Sequence, residues 1–231
     1  MKTAGIIGGI GPESTLEYYR QIVALYRERN PDGSYPQLII NSIDMQRMRK
    51  LIEANNLPDL TEFLLGEIRK LADAGADFGA LSANTPHLVF DALRRRSPIP
   101  LISIVEVTCQ AAKARALKRL GLFGTRFTMQ ARFFPEVFGQ AGITLVVPAA
   151  EEQDYIHDKY MNELVNGVFL PETRDRMLVF VERLKAEERI DGLILGGTEL
   201  PLLLGSVENA GIPFLNTTRL HVDQIVARML S

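Results

Sequence analysis

Residues 190–200 read Ile190-Asp191-Gly192-Leu193-Ile194-Leu195-Gly196-Gly197-Thr198-Glu199-Leu200, and residues 76–86 read Ala76-Asp77-Phe78-Gly79-Ala80-Leu81-Ser82-Ala83-Asn84-Thr85-Pro86. Each has an aspartate, then an apolar run, then small and hydroxyl-bearing residues. An apolar run without polar alternation marks a strand buried on both faces of a parallel sheet. Upstream, Lys2-Thr3-Ala4-Gly5-Ile6-Ile7-Gly8-Gly9 matches Lys118-Arg119-Leu120-Gly121-Leu122-Phe123-Gly124-Thr125, at nearly the same displacement. Paired aromatics follow in both, Tyr18-Tyr19 and Phe133-Phe134, and each copy then reaches an Ile-Pro strand at Ile99-Pro100 and Ile212-Pro213. Two segments displaced by the same amount point to duplicated halves.

Working outward, candidate strands fall at Thr3–Ile7, Gln37–Ser42, Phe78–Ser82, Leu101–Ser103, Arg119–Gly124, Thr144–Val147, Gly192–Gly196 and Pro213–Asn216. Helical patterns lie between them. Pro12–Arg29 opens with Pro and Glu, a favoured first turn. Pro58–Ala74 runs into Gly75, a stop signal. Thr128–Gly139, Gln153–Val168, Pro171–Glu188 and Leu220–Leu230 follow. The alternation predicts an α/β protein with open parallel sheets.

Composition narrows the function. The chain of 231 residues is 46% hydrophobic and 23% charged, with a net charge of −2. That balance gives no reason to expect nucleic acid or an anionic membrane surface as partner. No apolar run approaches the roughly 20 residues of a membrane span, and the N-terminal segment reads as a first buried strand rather than a signal peptide. One cysteine, Cys109, excludes an intramolecular disulfide and a cysteine metal cage; it fits a reducing cytoplasm. The three histidines are dispersed without a ligand pattern, so no metal is expected.

Four loops follow strand ends: Gly8–Thr15, Ser82–His87, Gly124–Thr128 and Gly196–Glu199. Carboxyl ends of strands are where open α/β sheets bind ligands. Backbone N–H groups near helix starts, with hydroxyls beside them, suit a small carboxylate. The Gly9-Ile10-Gly11 core lacks the third glycine of a dinucleotide fingerprint, since Ser14 stands there and Pro12 disturbs the turn. Ser82 is not in a nucleophile elbow, and Cys109 lies in a helical stretch as a buried structural cysteine.

The ordered motifs GGIGPEST, SANTPH, GTRFTM and GGTELP resemble the aspartate/glutamate racemase family, over nearly the whole chain. The resemblance implies two α/β subdomains related by a pseudo-twofold, each an open parallel sheet flanked by helices, with the active-site crevice between them. The expected division is 1–104 plus 215–231, and 105–214. Members of the family use no pyridoxal phosphate, so no cofactor is expected. Two cysteines work as bases on opposite faces of the substrate α-carbon, because a thiol can be tuned to either protonation state near neutral pH. Ala83 stands at the first cysteine position and Gly197 at the second. Gly9, Ile10, Gly11, Asn84, Thr85, Thr125, Thr128 and Thr198 match positions that hold the substrate's amino and carboxylate groups. Aspartate-specific members carry an arginine where this chain has Leu60. A homodimer is implied.

Three readings follow. The first is racemisation of an amino acid with His87 or Glu199 as replacement acid or base, each of which has a structural alternative as a cap or a paired residue. The second is another reaction on a small carboxylate at the same loops, a lyase or isomerase. The third is a non-catalytic binder of an amino acid or dicarboxylate.

Overall fold

The computed structural model describes residues 1–205 and 211–231. The chain divides into two units, Met1–Ile104 with His221–Ser231, and Val105–Leu220.

The first unit is built on four parallel strands, β1 (Ala4–Gly8), β2 (Leu38–Ser42), β3 (Phe78–Leu81) and β4 (Leu101–Ile102), in the order β2-β1-β3-β4. Its helices are α1 (Pro12–Arg29), α2 (Met45–Glu53), α3 (Leu57–Asp73) and α4 (Phe90–Arg96), with the greater part of the final helix, α11 (Thr217–Leu230). One core cluster packs Ala4, Ile6, Phe78 and Ala80 of the sheet against Tyr18, Ile22 and Leu25 of α1 and Val222, Ile225 and Met229 of α11. Each such side chain taken fully from water contributes about 1.5–3 kcal/mol before chain entropy is charged against it.

The second unit repeats this plan. Strands β5 (Arg119–Gly124), β6 (Thr144–Val146), β7 (Gly192–Gly196) and β8 (Phe214–Asn216) are parallel, in the order β6-β5-β7-β8. Around them lie α5 (Ile104–Ala114), α6 (Arg126–Gln130), α7 (Phe133–Gln140), α8 (Ala150–Asn162), α9 (Pro171–Glu188) and α10 (Leu200–Leu204). Phe123, Leu193 and Leu195 pack with Ile156, Tyr160, Met177, Phe180 and Leu184.

The aspartates that open the two quoted segments do the same work in both units. Asp77 accepts the Thr3 N–H at 2.7 Å and returns its own N–H to Thr3 O at 2.9 Å. Asp191 accepts from the N–H groups of Lys118 and Arg119 at 2.7 and 3.0 Å and donates to Arg119 O at 2.8 Å. Each staples the start of a central strand to its neighbour, so strand register is fixed at the end away from the loops.

Some elements depart from expectation. The helix expected over Thr128–Gly139 is two, because Pro135 has no N–H to offer and its ring would strike the carbonyl of residue 131 in one continuous helix. The helix expected to reach Val168 stops at Asn162, and Gly167 takes a left-handed conformation at φ 73°. The chain returns to the first unit between Leu220 and His221, not at 215, because β8 pairs with β7 in the second sheet.

Candidate functional site

In each sheet the chain leaves the first strand toward one edge and comes back to its other side. β1 and β3 therefore flank a switch point in the first unit, and β5 and β7 flank one in the second. Ligands of open α/β sheets bind beyond the carboxyl ends of such strands. The four motif loops leave these four strand ends.

In the first unit, Gly9 and Gly11 sit at φ 75° and 87°, a region that disfavours side chains. At Gly9 a Cβ would also lie 2.5 Å from Ile43 O. The Gly9 N–H is held by Thr15 Oγ1 at 2.8 Å, and Ile10 is buried. Ser14 Oγ donates to Ser82 O at 2.5 Å, tying this loop to the one after β3. No side chain caps α1, and Pro12 at its start has no N–H. The Thr15 N–H donates to Gly11 O at 3.3 Å; first-turn N–H groups of a helix are the kind of donor that anion sites use.

In the loop after β3, Ala83 and Asn84 are buried and Thr85 is half-buried. His87 is buried as well, with both ring nitrogens engaged. Nδ1 donates to Asn84 O at 3.1 Å and Nε2 accepts the Ile104 N–H at 3.3 Å. The ring stacks on Phe90 at 4.6 Å. Burial, with His221 adding to it, lowers the His87 pKa to about 3. The imidazole is neutral and holds the loop against Ile104, within the first unit. His221 is used alike: Nε2 donates to Ile102 O at 3.0 Å and Nδ1 accepts from Tyr18 Oη at 2.7 Å.

In the second unit, Thr125 caps α6 by accepting the Thr128 N–H at 3.3 Å, and the two hydroxyls lie 3.2 Å apart. Thr128 is buried and Thr125 half-buried. The Arg126 N–H donates to His157 Nδ1 at 3.3 Å, while its guanidinium pairs with Asp154 at 2.7 Å.

The loop after β7 holds a buried carboxylate that accepts from two hydroxyls. Glu199 is 1% exposed and Thr198 4%. Thr198 Oγ1 donates to Glu199 Oε2 at 2.8 Å, and the Tyr160 hydroxyl donates to the same oxygen in a short hydrogen bond. Tyr160 comes from α8 and is 6% exposed. Burial first, and the Glu199 charge second, hold its phenol well above the usual tyrosine range. The ring lies against Gly197: a Cβ built there would be 2.3 Å from Tyr160 Cε2 and 2.8 Å from its Oη. Position 197 is glycine because an aromatic ring fills the space that a side chain would take. Sequence reading gave Glu199 but missed Tyr160, which lies 39 residues from its partner in a helix with no local motif.

Arg47 and Arg49 both have partners. Arg47 lies over the Phe63 ring at 4.4 Å and Arg49 pairs with Glu53 at 3.2 Å. Leu60 is fully buried in α3. Among the described residues, no three His, Cys, Asp or Glu side chains are grouped to hold a metal, and no helix is long and apolar enough to cross a membrane.

Two copies of one four-stranded parallel sheet, each with hydroxyl-bearing loops at its switch point, define an internally duplicated α/β protein whose strand-tip loops suit a small carboxylate. Residues 7–225 match the Asp/Glu/Hydantoin racemase family, and the chain belongs to it. It is 25% identical to the broad specificity amino-acid racemase RacX of Bacillus subtilis (strain 168), over 98% of both chains. The crystal structure of an aspartate racemase homologue from Pyrococcus horikoshii OT3 superposes with a TM-score of 0.86, at 32% identity and 100% of both chains. The Picrophilus torridus aspartate racemase superposes at 0.82, with 20% identity over 99% of this chain and 94% of that one, a likeness of fold.

Proposed function

We propose that this protein binds an amino acid or a related small carboxylate at its strand-tip loops and carries out cofactor-independent proton transfer at the α-carbon, without a thiol at either family position. Family membership supports racemase-type chemistry. The observation that carries the finer reading is the state of the loops. Thr125 and Thr128 hydrogen-bond one another and Thr198 hydrogen-bonds Glu199, while Ala83 and Gly197 bring no titratable group. In this reading Asn84, Thr85, Thr125, Thr128 and Thr198, with the Gly9–Gly11 loop, hold the ligand. His87 is a positioning residue, since both its ring nitrogens are spent.

A second reading is favoured by the asymmetry of the two positions. A buried hydroxyl–carboxylate pair stands beside Gly197, whereas Ala83 has the neutral His87 nearby in its loop. One-sided proton transfer fits a lyase or isomerase on a small carboxylate, or exchange without inversion. Racemisation needs groups on both faces, and loss of one such group costs about 10²- to 10⁴-fold, so racemisation here is expected to be slow.

The test is proton NMR of the protein with L- and D-amino acids in D₂O. Loss of the α-proton signal for any of them supports the proposal. Binding by calorimetry with no loss over days reduces the function to that of a binder. No binding to any amino acid or dicarboxylate rejects it. The family resemblance also leads us to expect a cytoplasmic homodimer; sedimentation would check the dimer, and cell fractionation the location.

A further inference from the structure

We propose that Tyr160 and Glu199 together form the proton-transfer group of the β7 loop, in the place that the family resemblance gives to the second thiol. The inference rests on the reading of the loops as an amino-acid site.

Three observations converge. First, the space is occupied: a Cβ at position 197 would fall 2.3, 2.8 and 2.9 Å from Tyr160 Cε2, Oη and Cζ. The Cβ of any side chain at 197, a cysteine's included, would meet the Tyr160 ring and its oxygen. The ring is therefore a replacement for the thiol side chain and excludes it. Second, the phenol is chemically coupled. Its hydroxyl donates to Glu199 Oε2, an oxygen that also receives the Thr198 hydroxyl at 2.8 Å. Third, Thr198 and Glu199 directly follow position 197 in the loop at the switch point of the second sheet, where a ligand of an open α/β sheet is expected. A buried carboxylate is costly unless hydrogen-bonded, and here both hydroxyl donors converge on the one Glu199 oxygen.

The protons and electrons balance without a cofactor. The substrate Cα–H bond breaks and its proton goes to Tyr160 Oη. The proton already on Oη passes to Glu199 Oε2. The electron pair remains on the α-carbon and spreads into the adjacent carboxyl group. The reverse returns a proton to the same face. Tyr160 is a neutral hydroxyl before and after, consistent with its elevated pKa; Glu199 takes up the proton and becomes neutral, and the negative charge moves to the substrate. Where the proton held by the pair exchanges with D₂O before return, deuterium enters the substrate, and because removal and return use one face its configuration is retained.

The experiment uses the full chain and a panel of L- and D-amino acids. Calorimetry selects those that bind, and NMR in D₂O with chiral chromatography follows α-deuteration and inversion. Tyr160→Phe keeps the ring that fills the Gly197 space and removes only the oxygen. It is expected to slow α-deuteration by about 10²- to 10⁴-fold, with Kd changed less than about threefold. Glu199→Gln, which keeps the shape and removes the charge, is expected to do the same. Wild-type deuteration should outpace inversion by at least tenfold. Deuteration of Tyr160→Phe at the wild-type rate, in a variant shown by its melting curve to be folded, would overturn the proposal and leave the pair a packing feature. Binding without wild-type deuteration would overturn it too, while leaving the amino-acid site intact. Absence of binding to any amino acid would overturn the site reading and this proposal together.

Discussion

Replacing Gly197 by alanine adds one methyl group, and its cost can be worked out from the structure. The new Cβ would sit 2.3 Å from Tyr160 Cε2, about 1 Å inside the 3.4 Å at which ordinary contact begins. Tyr160 cannot withdraw freely, since it packs in a cluster with Phe123, Ile156 and Leu164. Overpacking of this kind costs about 1–3 kcal/mol. If the ring turns, the hydrogen bond to Glu199 is strained or lost, and bonds to a charged group are worth about 1.5–3 kcal/mol. Gly197→Ala should therefore destabilise the protein by about 2.5–6 kcal/mol. At about 2–4 °C per kcal/mol for a chain of this size, the melting temperature should fall by roughly 5–24 °C. Gly197→Cys should cost at least as much. Tyr160→Ala alone opens a cavity worth about 3–5 kcal/mol, but Gly197→Ala combined with Tyr160→Ala should cost less than the sum by about 1 kcal/mol or more. Urea unfolding of the four proteins measures the cycle. A Gly197→Ala cost under about 0.5 kcal/mol, or strictly additive costs, would refute the claim that the ring fills the side-chain space.

Three further outcomes are expected. His87 and His221 have folded pKa values lowered to about 3 and about 4 from 6.5, so the unfolded chain binds more protons below pH 6.5. Stability should be full above that pH and fall as pH drops from 7 to 5, by up to about 1.4 kcal/mol per unit for each histidine; His221→Phe should flatten the urea-midpoint profile, and an unchanged slope would count against the assignment. Asp191→Ala removes the acceptor for two backbone N–H groups and should cost about 1–3 kcal/mol, with Asp77→Ala costing less because Asp77 is more exposed and takes one such bond; equal costs in guanidinium unfolding would contradict this. Thr125→Ala removes the cap of α6 and should cost about 0.5–2 kcal/mol while weakening amino-acid binding, so calorimetry showing full affinity would remove Thr125 from the ligand site.

The strands were legible because burial on both faces leaves a continuous apolar run, and all eight lie within one or two residues of expectation at each end. The duplication was legible for the same reason: a parallel sheet with aspartate staples leaves Asp77 and Asp191 at matching places. Helices α2 and α4 were missed, being short and largely polar on their outer faces. At the site, sequence reading found the loops because glycine, threonine and asparagine cluster at strand tips. It gave His87 as a candidate acid or base because a free imidazole titrates near neutral pH, but burial and two hydrogen bonds are tertiary effects that no local spacing encodes. Tyr160 was hidden for a related reason. Its position in α8 looks like ordinary helical core, and only the fold brings its hydroxyl to Glu199. The glycine at 197 was the visible half of that contact.

Cys109, the single cysteine, lies buried in α5, its Sγ donating to Val137 O at 3.8 Å, and burial pushes its pKa up. Its sulfur is therefore slow toward electrophiles and oxidants, which react with the thiolate. The wild-type chain is thus already a silent background for sulfur chemistry. A cysteine introduced at Ala83, or at Gly197 with Tyr160 trimmed, would be the fast-reacting thiol of the molecule. Its alkylation rate as a function of pH would report the acidity of each strand tip separately, without interference from the rest of the chain.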